Sequence, residues 1–336
     1  MRRLILPEGY KARLDLMQTE QAIKECKDLF EKMLARQLKL TRVSAPLFVA
    51  PETGLNDNLN GVERPVDFDI KDMEGQHVEI VHSLAKWKRL ALHRYGFKEG
   101  KGLYTDMNAI RRDEELDNLH SIYVDQWDWE LILPPNRRNR DMLHETVNKI
   151  YGVFLAVQAQ LIAYWPQLTA KLPDHITFVT TQELLDRWPE KTASEREDAI
   201  ARECGAVFIE KIGGRLSNGE PHDGRAPDYD DWELNGDIIF FYPLLDRAFE
   251  ISSMGIRVDA ESIRRQCQLA HCEHRLELPF HKEVLDGTLP LTMGGGIGQS
   301  RICMFFLDKA HIGEVQSSIW PTDQACLCAE DGIVLL

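Results

Sequence analysis

The sequence predicts an α+β fold built on a mainly antiparallel sheet flanked by helices. Three observations carry this expectation. Helix-like and strand-like segments are mixed along the chain, without the regular strand–helix–strand alternation of a doubly wound sheet. No internal repeat or low-complexity linker divides the 336 residues, so the chain reads as one catalytic-size domain, 1–336. The composition, 43% apolar and 28% charged, is that of a globular chain able to bury a full core.

The clearest helix runs from Tyr10 to Leu38, with Leu14, Met17, Cys26, Phe30, Met33 and Leu34 on one face and Gly9 just ahead. A β-like run from Thr41 to Ala50 is broken by Pro46, which marks an edge or a strand end because proline cannot donate to a ladder. Pro51 to Gly61 is a turn-rich loop, His77 to Ser83 a strand and Ala85 to Tyr95 a helix. From His120 to Glu130 the residues alternate. Ile122, Val124, Gln126 and Asp128 point one way, and Tyr123, Asp125, Trp127 and Trp129 the other. Asp141 to Ala163 is a second long helix, followed by short helices over Thr181–Trp188 and Ser194–Cys204 and a strand over Ala206–Ile212. Gly213 to Asp237 is rich in Gly, Asp and Pro, and a loop of that length is usually functional. Two β runs, Asp237–Tyr242 and Ala248–Val258, precede a helix over Ala260–Ala270. The segment Thr292–Leu307 reads as strand, glycine turn and helix.

Forty basic and 54 acidic residues leave a net charge of −14, which argues against a nucleic-acid partner but leaves room for a local basic pocket. No run of about 18 apolar residues predicts a membrane span. The four-residue patch Leu4–Pro7, behind arginines at positions 2 and 3, is too short for a secretory signal, so a cytoplasmic location is expected. The seven cysteines lack disulfide or zinc spacing and read as reduced, mostly buried thiols.

Four segments carry candidate chemistry. Gly294–Arg301, GGGIGQSR, lets a backbone approach a ligand, and the following helix offers its positive end with Arg301 one turn in; a plain strand-to-helix turn fits equally well. Lys86, Lys88 and Arg89 open a helix where acidic residues are normally favoured, which suits an anionic ligand or a solvated basic face; Ser83 precedes them as a cap. Gln126 and Asp128 share a strand face between Trp127 and Trp129, where a carboxylate needs a cation, from substrate or from protein. Asp228, Asp230, Asp231, Asp237 and Glu250 are either hard ligands for Mg²⁺ or solvated loop acids.

Together these segments resemble the catalytic core of the class II aminoacyl-tRNA synthetases, aspartyl and asparaginyl branch. The first helix with TRVSAPLF and its Pro46 is similar to the first class motif. IRRDEE followed by QWDWE is similar to the second, and GGGIGQSR to the third. HSLAKWK matches the flipping-loop segment through Ser83 and Lys88. A closer resemblance is to the ammonia-dependent asparagine synthetase, or aspartate–ammonia ligase, family. Its strings HSLAKWKR, GLYT, LHSIYVDQWDWE, RAPDYDDW, LNGDI, FEISSMGIRVD and GGGIGQSR run in order from about Ala12 to Pro321. The stretch between Trp232 and Asn235 is shorter than in the family's pattern. With so little chain ahead of the first helix, an anticodon-binding domain is not expected.

The resemblance implies ATP- and Mg²⁺-dependent activation of L-aspartate to β-aspartyl-AMP, then attack by ammonia to give L-asparagine and AMP. Arg111, Arg301, Gly296, Ser252, Ser253, Asp237 and Glu250 would face ATP, the last two also as metal ligands. Lys88 and Arg257 would grip a substrate carboxylate, Asp128 or Asp230 the α-ammonium, Ser83 would also contact aspartate, and Gln126 would sit near the reacting carbonyl. Asp57 would bind ammonium and take its proton, or simply form an Asx-turn. Class II cores dimerise through the first helix and the Pro46 strand, so a homodimer is expected. A trimmed aspartyl- or asparaginyl-tRNA ligase, a ligase for another amine, and a non-catalytic amino-acid sensor are the alternatives.

Overall fold

The computed structural model describes residues 4–59 and 61–336. The arginines at positions 2 and 3 and Asn60 of the turn-rich loop lie outside the described residues. The strands are β1 Leu40–Arg42, β2 Phe48–Val49, β3 Asp67–Ile70, β4 Gln76–Ile80, β5 Gly102–Ile110, β6 Tyr123–Ile132, β7 Thr177–Thr180, β8 Ala206–Glu210, β9 Asp230–Tyr242, β10 Arg247–Arg257 and β11 Thr292–Gly298. The helices are α1 Leu16–Leu38, α2 Ala85–Arg94, α3 Arg140–Tyr164, α4 Thr181–Arg187, α5 Ala193–Cys204, α6 Ala260–Leu269, α7 Pro279–Leu285, α8 Gln299–Phe306 and α9 Thr322–Glu330.

Eight strands form one sheet in the order β1-β5-β6-β11-β10-β9-β8-β7, and β2-β4-β3 form a small second sheet. The expected antiparallel character holds through the centre. Only the outermost pairs, β1 with β5 and β7 with β8, run parallel. The second pair is parallel because α4 and α5 supply the crossover that returns the chain to the same end.

β6 shows how the sheet divides its faces. Trp127 and Trp129 are buried in the main core with Phe30 of α1, Phe154 of α3 and Phe240 of β9. Phe30 stacks on Trp127 with ring centroids 5.0 Å apart. Gln126, Asp128 and Glu130 take the opposite face by the two-residue period. α1 and α3 therefore seal one side of the sheet, and the polar side is left to the site.

Several boundaries differ from expectation. α1 begins at Leu16 because Asp15 and Gln18 form a capping box there; Tyr10, expected inside the helix, instead donates its hydroxyl to Glu314 at 2.8 Å. The Thr41–Ala50 run is split between two sheets, with Pro46 in neither strand. β9 starts at Asp230, so the last third of the expected loop is strand. The glycine run is not a turn: Gly294, Gly295 and Gly296 lie inside β11, paired to β6 and β10. β3, β5, β7, α7 and α9 have no counterpart among the expected elements. Five of the seven cysteines are buried and all are unpaired. Among the described residues, no helix is long and apolar enough to cross a membrane.

Candidate active site

A cavity of about 390 Å³ lies over the polar face of β6, β9, β10 and β11, and every site residue implied by the family resemblance, from Asp57 to Arg301, lines it. Its floor is the glycine strand. A Cβ on Gly296 would sit 2.8 Å from Asp128 Oδ1 and collide with the Gln126 amide oxygen. One on Gly294 would lie 2.6 Å from Arg257 Nη2 and run into the Glu130 carboxylate. The glycines are there because polar side chains from neighbouring strands cross above them.

Two buried cations stand on this floor. Lys88, on the first turns of α2, is 1% exposed; its ammonium lies 3.1 Å from Asp128 and donates to the Gly295 carbonyl at 3.0 Å. Burial lowers its pKa, while Asp128 pulls in the other direction. Arg257, at the end of β10, donates to Glu130 at 2.7 and 3.0 Å and to Asp230. Burial disfavours its charge, but Glu130 and Asp230 outweigh that and hold its pKa above the ordinary arginine value. Thr292 fills another acceptor site of Glu130 at 2.7 Å.

The cation that Asp128 needs is thus the protein's own Lys88. The basic start of α2 is not a solvated face either. Lys86 pairs with Asp228 at 3.1 Å, and Arg89 donates to the Val258 and Pro290 carbonyls. Ser83 does not cap α2 as its N-cap, a position held by Leu84; its hydroxyl donates to Asp57 at 2.8 Å. The acid group also divides. Asp230, Asp237 and Glu250 line the cavity, whereas Asp228 pairs behind it with Lys86 and His281, and Asp231 pairs with Arg138 at 2.6 Å.

The cavity is also lined by Arg111, just beyond β5, and Arg301, in the first turn of α8. Arg111 Nε is buried without a hydrogen-bond partner, as expected of a donor shaped for an anion. Arg301 donates to the Glu250 carbonyl at 2.8 Å and lies 3.5 Å from its carboxylate. Arg301 and Arg225 lower the pKa of Glu250. The α8 N-terminus itself is not free for an anion: Asp125 accepts from Ser300 N at 3.0 Å and from its hydroxyl at 2.8 Å. Ser252 donates to the Gly296 carbonyl at 2.9 Å, and Ser253 accepts from Arg225.

Arg225 is a cavity residue the sequence reading passed over. It pairs with Asp237 at 2.5 Å, and Asp237 with Asp230 holds its pKa high despite burial. Burial pushes the Asp237 carboxyl up to about 7, with Glu250 adding to the rise and Arg225 opposing it. Glu250 disfavours the charge of Asp237, and two such neighbouring carboxylates suit a divalent cation, so Asp237 and Glu250 fit Mg²⁺. Among the described residues no group of three or more potential ligands occurs, which leaves the remaining positions to phosphate oxygens and water, as Mg²⁺ prefers.

Glu130 and His82 were also passed over. Glu130 had a readable signal, two residues beyond Asp128 on the same strand face. His82 had none, because its role depends on a loop far along the chain. That loop carries Asp57. Its carboxylate accepts from Leu59 N at 2.8 Å, a genuine Asx-turn, and from Ser83 at 2.8 Å, so the turn and the cavity position coexist. Asn56 ties the loop down, accepting from His82 N at 2.9 Å and donating to Glu79 at 2.9 Å.

With its six-strand antiparallel centre, the α+β sheet has the fold of class II aminoacyl-tRNA synthetase cores. The chain is similar in fold to the asparaginyl-tRNA synthetase of Entamoeba histolytica in complex with asparaginyl-adenylate, with a TM-score of 0.65 and 12% identity over 91% of this chain and 69% of that one. It is equally similar to that of Pyrococcus horikoshii, with a TM-score of 0.65 and 12% identity over 90% and 70%. Within that class the particular family is decided by sequence. A family model for aspartate-ammonia ligase matches residues 17–332. The aspartate–ammonia ligase of Clostridium perfringens is 62% identical over 336 residues, all of both chains, and that of Fusobacterium nucleatum is 60% identical over 98% of this chain and 100% of its own. The chain belongs to the aspartate–ammonia ligase family, and its activity is ATP-dependent synthesis of asparagine from aspartate and ammonia.

Proposed function

We propose that this activity runs through a β-aspartyl adenylate formed in the cavity over the glycine floor. The observation that carries the reading is a single cavity lined by two buried cations, Lys88 and Arg257, and by two further arginines, Arg111 and Arg301. A carboxylate is a poor acyl donor because oxide is a poor leaving group; joining it to AMP corrects that. Lys88 and Arg257 hold the α-carboxylate of aspartate, and Asp128 or Asp230 holds its α-ammonium, so that the β-carboxylate is presented to the nucleotide. Gln126 lies beside the reacting carbonyl, and Ser83 completes the aspartate pocket. Arg111 and Arg301 neutralise charge that builds on the phosphates as pyrophosphate leaves. Gly296, Ser252 and Ser253 line the nucleotide side. Mg²⁺, held by Asp237 and Glu250, would supply further neutralisation of the phosphates. Asp57 attracts the ammonium to the acyl carbon.

Incubation with ATP, Mg²⁺, aspartate and ammonium is expected to yield asparagine, AMP and pyrophosphate in equal amounts. ADP and phosphate as products, or AMP only when tRNA is added, would overturn the adenylate route. We also propose a two-fold homodimer using the Pro46 segment, where Leu47 is 50% and Phe48 40% exposed; light scattering that finds only single chains would reject it.

Two variants test the aspartate and ammonia ends. In Gly296→Ala the new methyl displaces Gln126 and presses on Asp128, so the KM for aspartate is expected to rise about tenfold or more, equivalent to roughly 1.4 kcal/mol of binding, with little change in the melting temperature. An unchanged KM would remove both side chains from the aspartate pocket. In Asp57→Asn, asparagine formation is expected to fall at least about tenfold further than aspartate-dependent pyrophosphate exchange. Equal losses would separate Asp57 from the ammonia step.

A further inference from the structure

Ammonium is not a nucleophile until it loses a proton, and the Asp57 carboxylate is a poor place to send it. Both of its oxygens already accept hydrogen bonds, from Leu59 N and from Ser83. Beside it in the same cavity wall stands His82, 1% exposed. Its backbone N–H is fixed by Asn56, and its ring Nδ1 lies 3.1 Å from the Asp57 carbonyl oxygen. A carbonyl only accepts, so Nδ1 carries the hydrogen and Nε2 presents a bare lone pair. Nε2 is buried and has no hydrogen-bond partner. An orphaned acceptor on a rigidly held imidazole, in the wall of a substrate cavity, is a proton acceptor awaiting a donor.

We propose that His82 is the general base of the amidation step, with ammonium bound between its Nε2 and the Asp57 carboxylate. An N–H bond of ammonium breaks and its proton passes to Nε2. The freed nitrogen lone pair forms the C–N bond to the β-carbonyl carbon. The carbonyl π pair moves to its oxygen and then re-forms the double bond as the C–O bond to the phosphate breaks; that electron pair departs with AMP, and the second proton passes from the tetrahedral nitrogen to the departing phosphate oxygen. Asp57 supplies the attracting charge and His82 removes the first proton. This rests on the adenylate reading above, and the test separates the two.

His82→Asn keeps an amide donor for the Asp57 carbonyl but removes Nε2; His82→Gln removes the base in a longer side chain. Each is measured in three assays: aspartate-dependent pyrophosphate exchange, asparagine formation from ammonium, and hydroxamate formation from hydroxylamine, which is already a neutral nucleophile at neutral pH. The expected result is a loss of about 100-fold or more with ammonium, against changes of less than about threefold in exchange and in hydroxamate formation. Equal losses with the two nucleophiles, or unimpaired synthesis from ammonium, overturn the proposal. Loss of exchange in both variants also overturns it, since His82 would then hold the site together rather than serve the second step. Absence of exchange in the unaltered protein would instead reject the adenylate.

Discussion

Arg257→Met is expected to lose about 3–5 kcal/mol of stability, the usual consequence of breaking a buried ion pair from one side, together with all measurable ligation. The guanidinium is 3% exposed and lies between Glu130, 0% exposed, and Asp230, 1% exposed. Methionine fills much of the arginine stem's volume but leaves the Glu130 and Asp230 carboxylates without the guanidinium that they share. Chemical denaturation of the variant measures the loss. Coupling is checked by the double variant with Glu130→Leu, which removes one of the stranded charges and should recover part of the stability. A loss below about 1 kcal/mol, the range of exposed pairs, would show that the network is open to solvent and that Arg257 is free to be a surface residue. The same variant removes the cation proposed for the α-carboxylate of aspartate, so ligation should fail even in molecules that remain folded.

Arg301→Ala should behave in the opposite manner: a fall of at least about 100- to 1,000-fold in aspartate-dependent pyrophosphate exchange, the scale of a lost transition-state donor, with almost no loss of stability. Its side chain is 23% exposed and that of its partner Glu250 47%, so the pair adds little to folding. What it supplies is a positive charge in the part of the cavity assigned to phosphates. Exchange in the presence of saturating ATP and aspartate is the direct measurement. Retained exchange would remove Arg301 from the phosphate site and, with it, the reason for the exposed position of this arginine at the start of α8. Together with the Arg257 variant it separates a residue that builds the cavity from one that works in it.

The strand β6 shows how far a sequence can be read. Alternation alone placed Gln126 and Asp128 on one face and the two tryptophans on the other, because a strand offers side chains only two directions. It also stated that Asp128 required a cation. It had no means to say which, since Lys88 lies on a helix forty residues earlier and reaches Asp128 only when α2 docks across the sheet. The basic start of α2 misled for the same reason: three cations within four residues looked solvated or ligand-binding, yet Lys86 and Arg89 serve Asp228 and two backbone carbonyls. The glycines of β11 were readable as a close approach, but not as a strand. A strand of glycines has no local propensity to recommend it, and only the neighbours β6 and β10 hold it extended.

By itself the sequence determined the fold class, the family to which the chain is similar and the residue types that meet at the site, since these follow from periodicity and from ordered strings of unlike residues. Tertiary structure alone decided the partners. Arg225 joined Asp237, Glu130 joined Arg257, and the ring of His82 was turned so that one nitrogen is held and the other is left without a partner. The physical reason is that hydrogen bonds and ion pairs act over a few ångströms, and which groups come within that range is set by the packing of segments far apart along the chain.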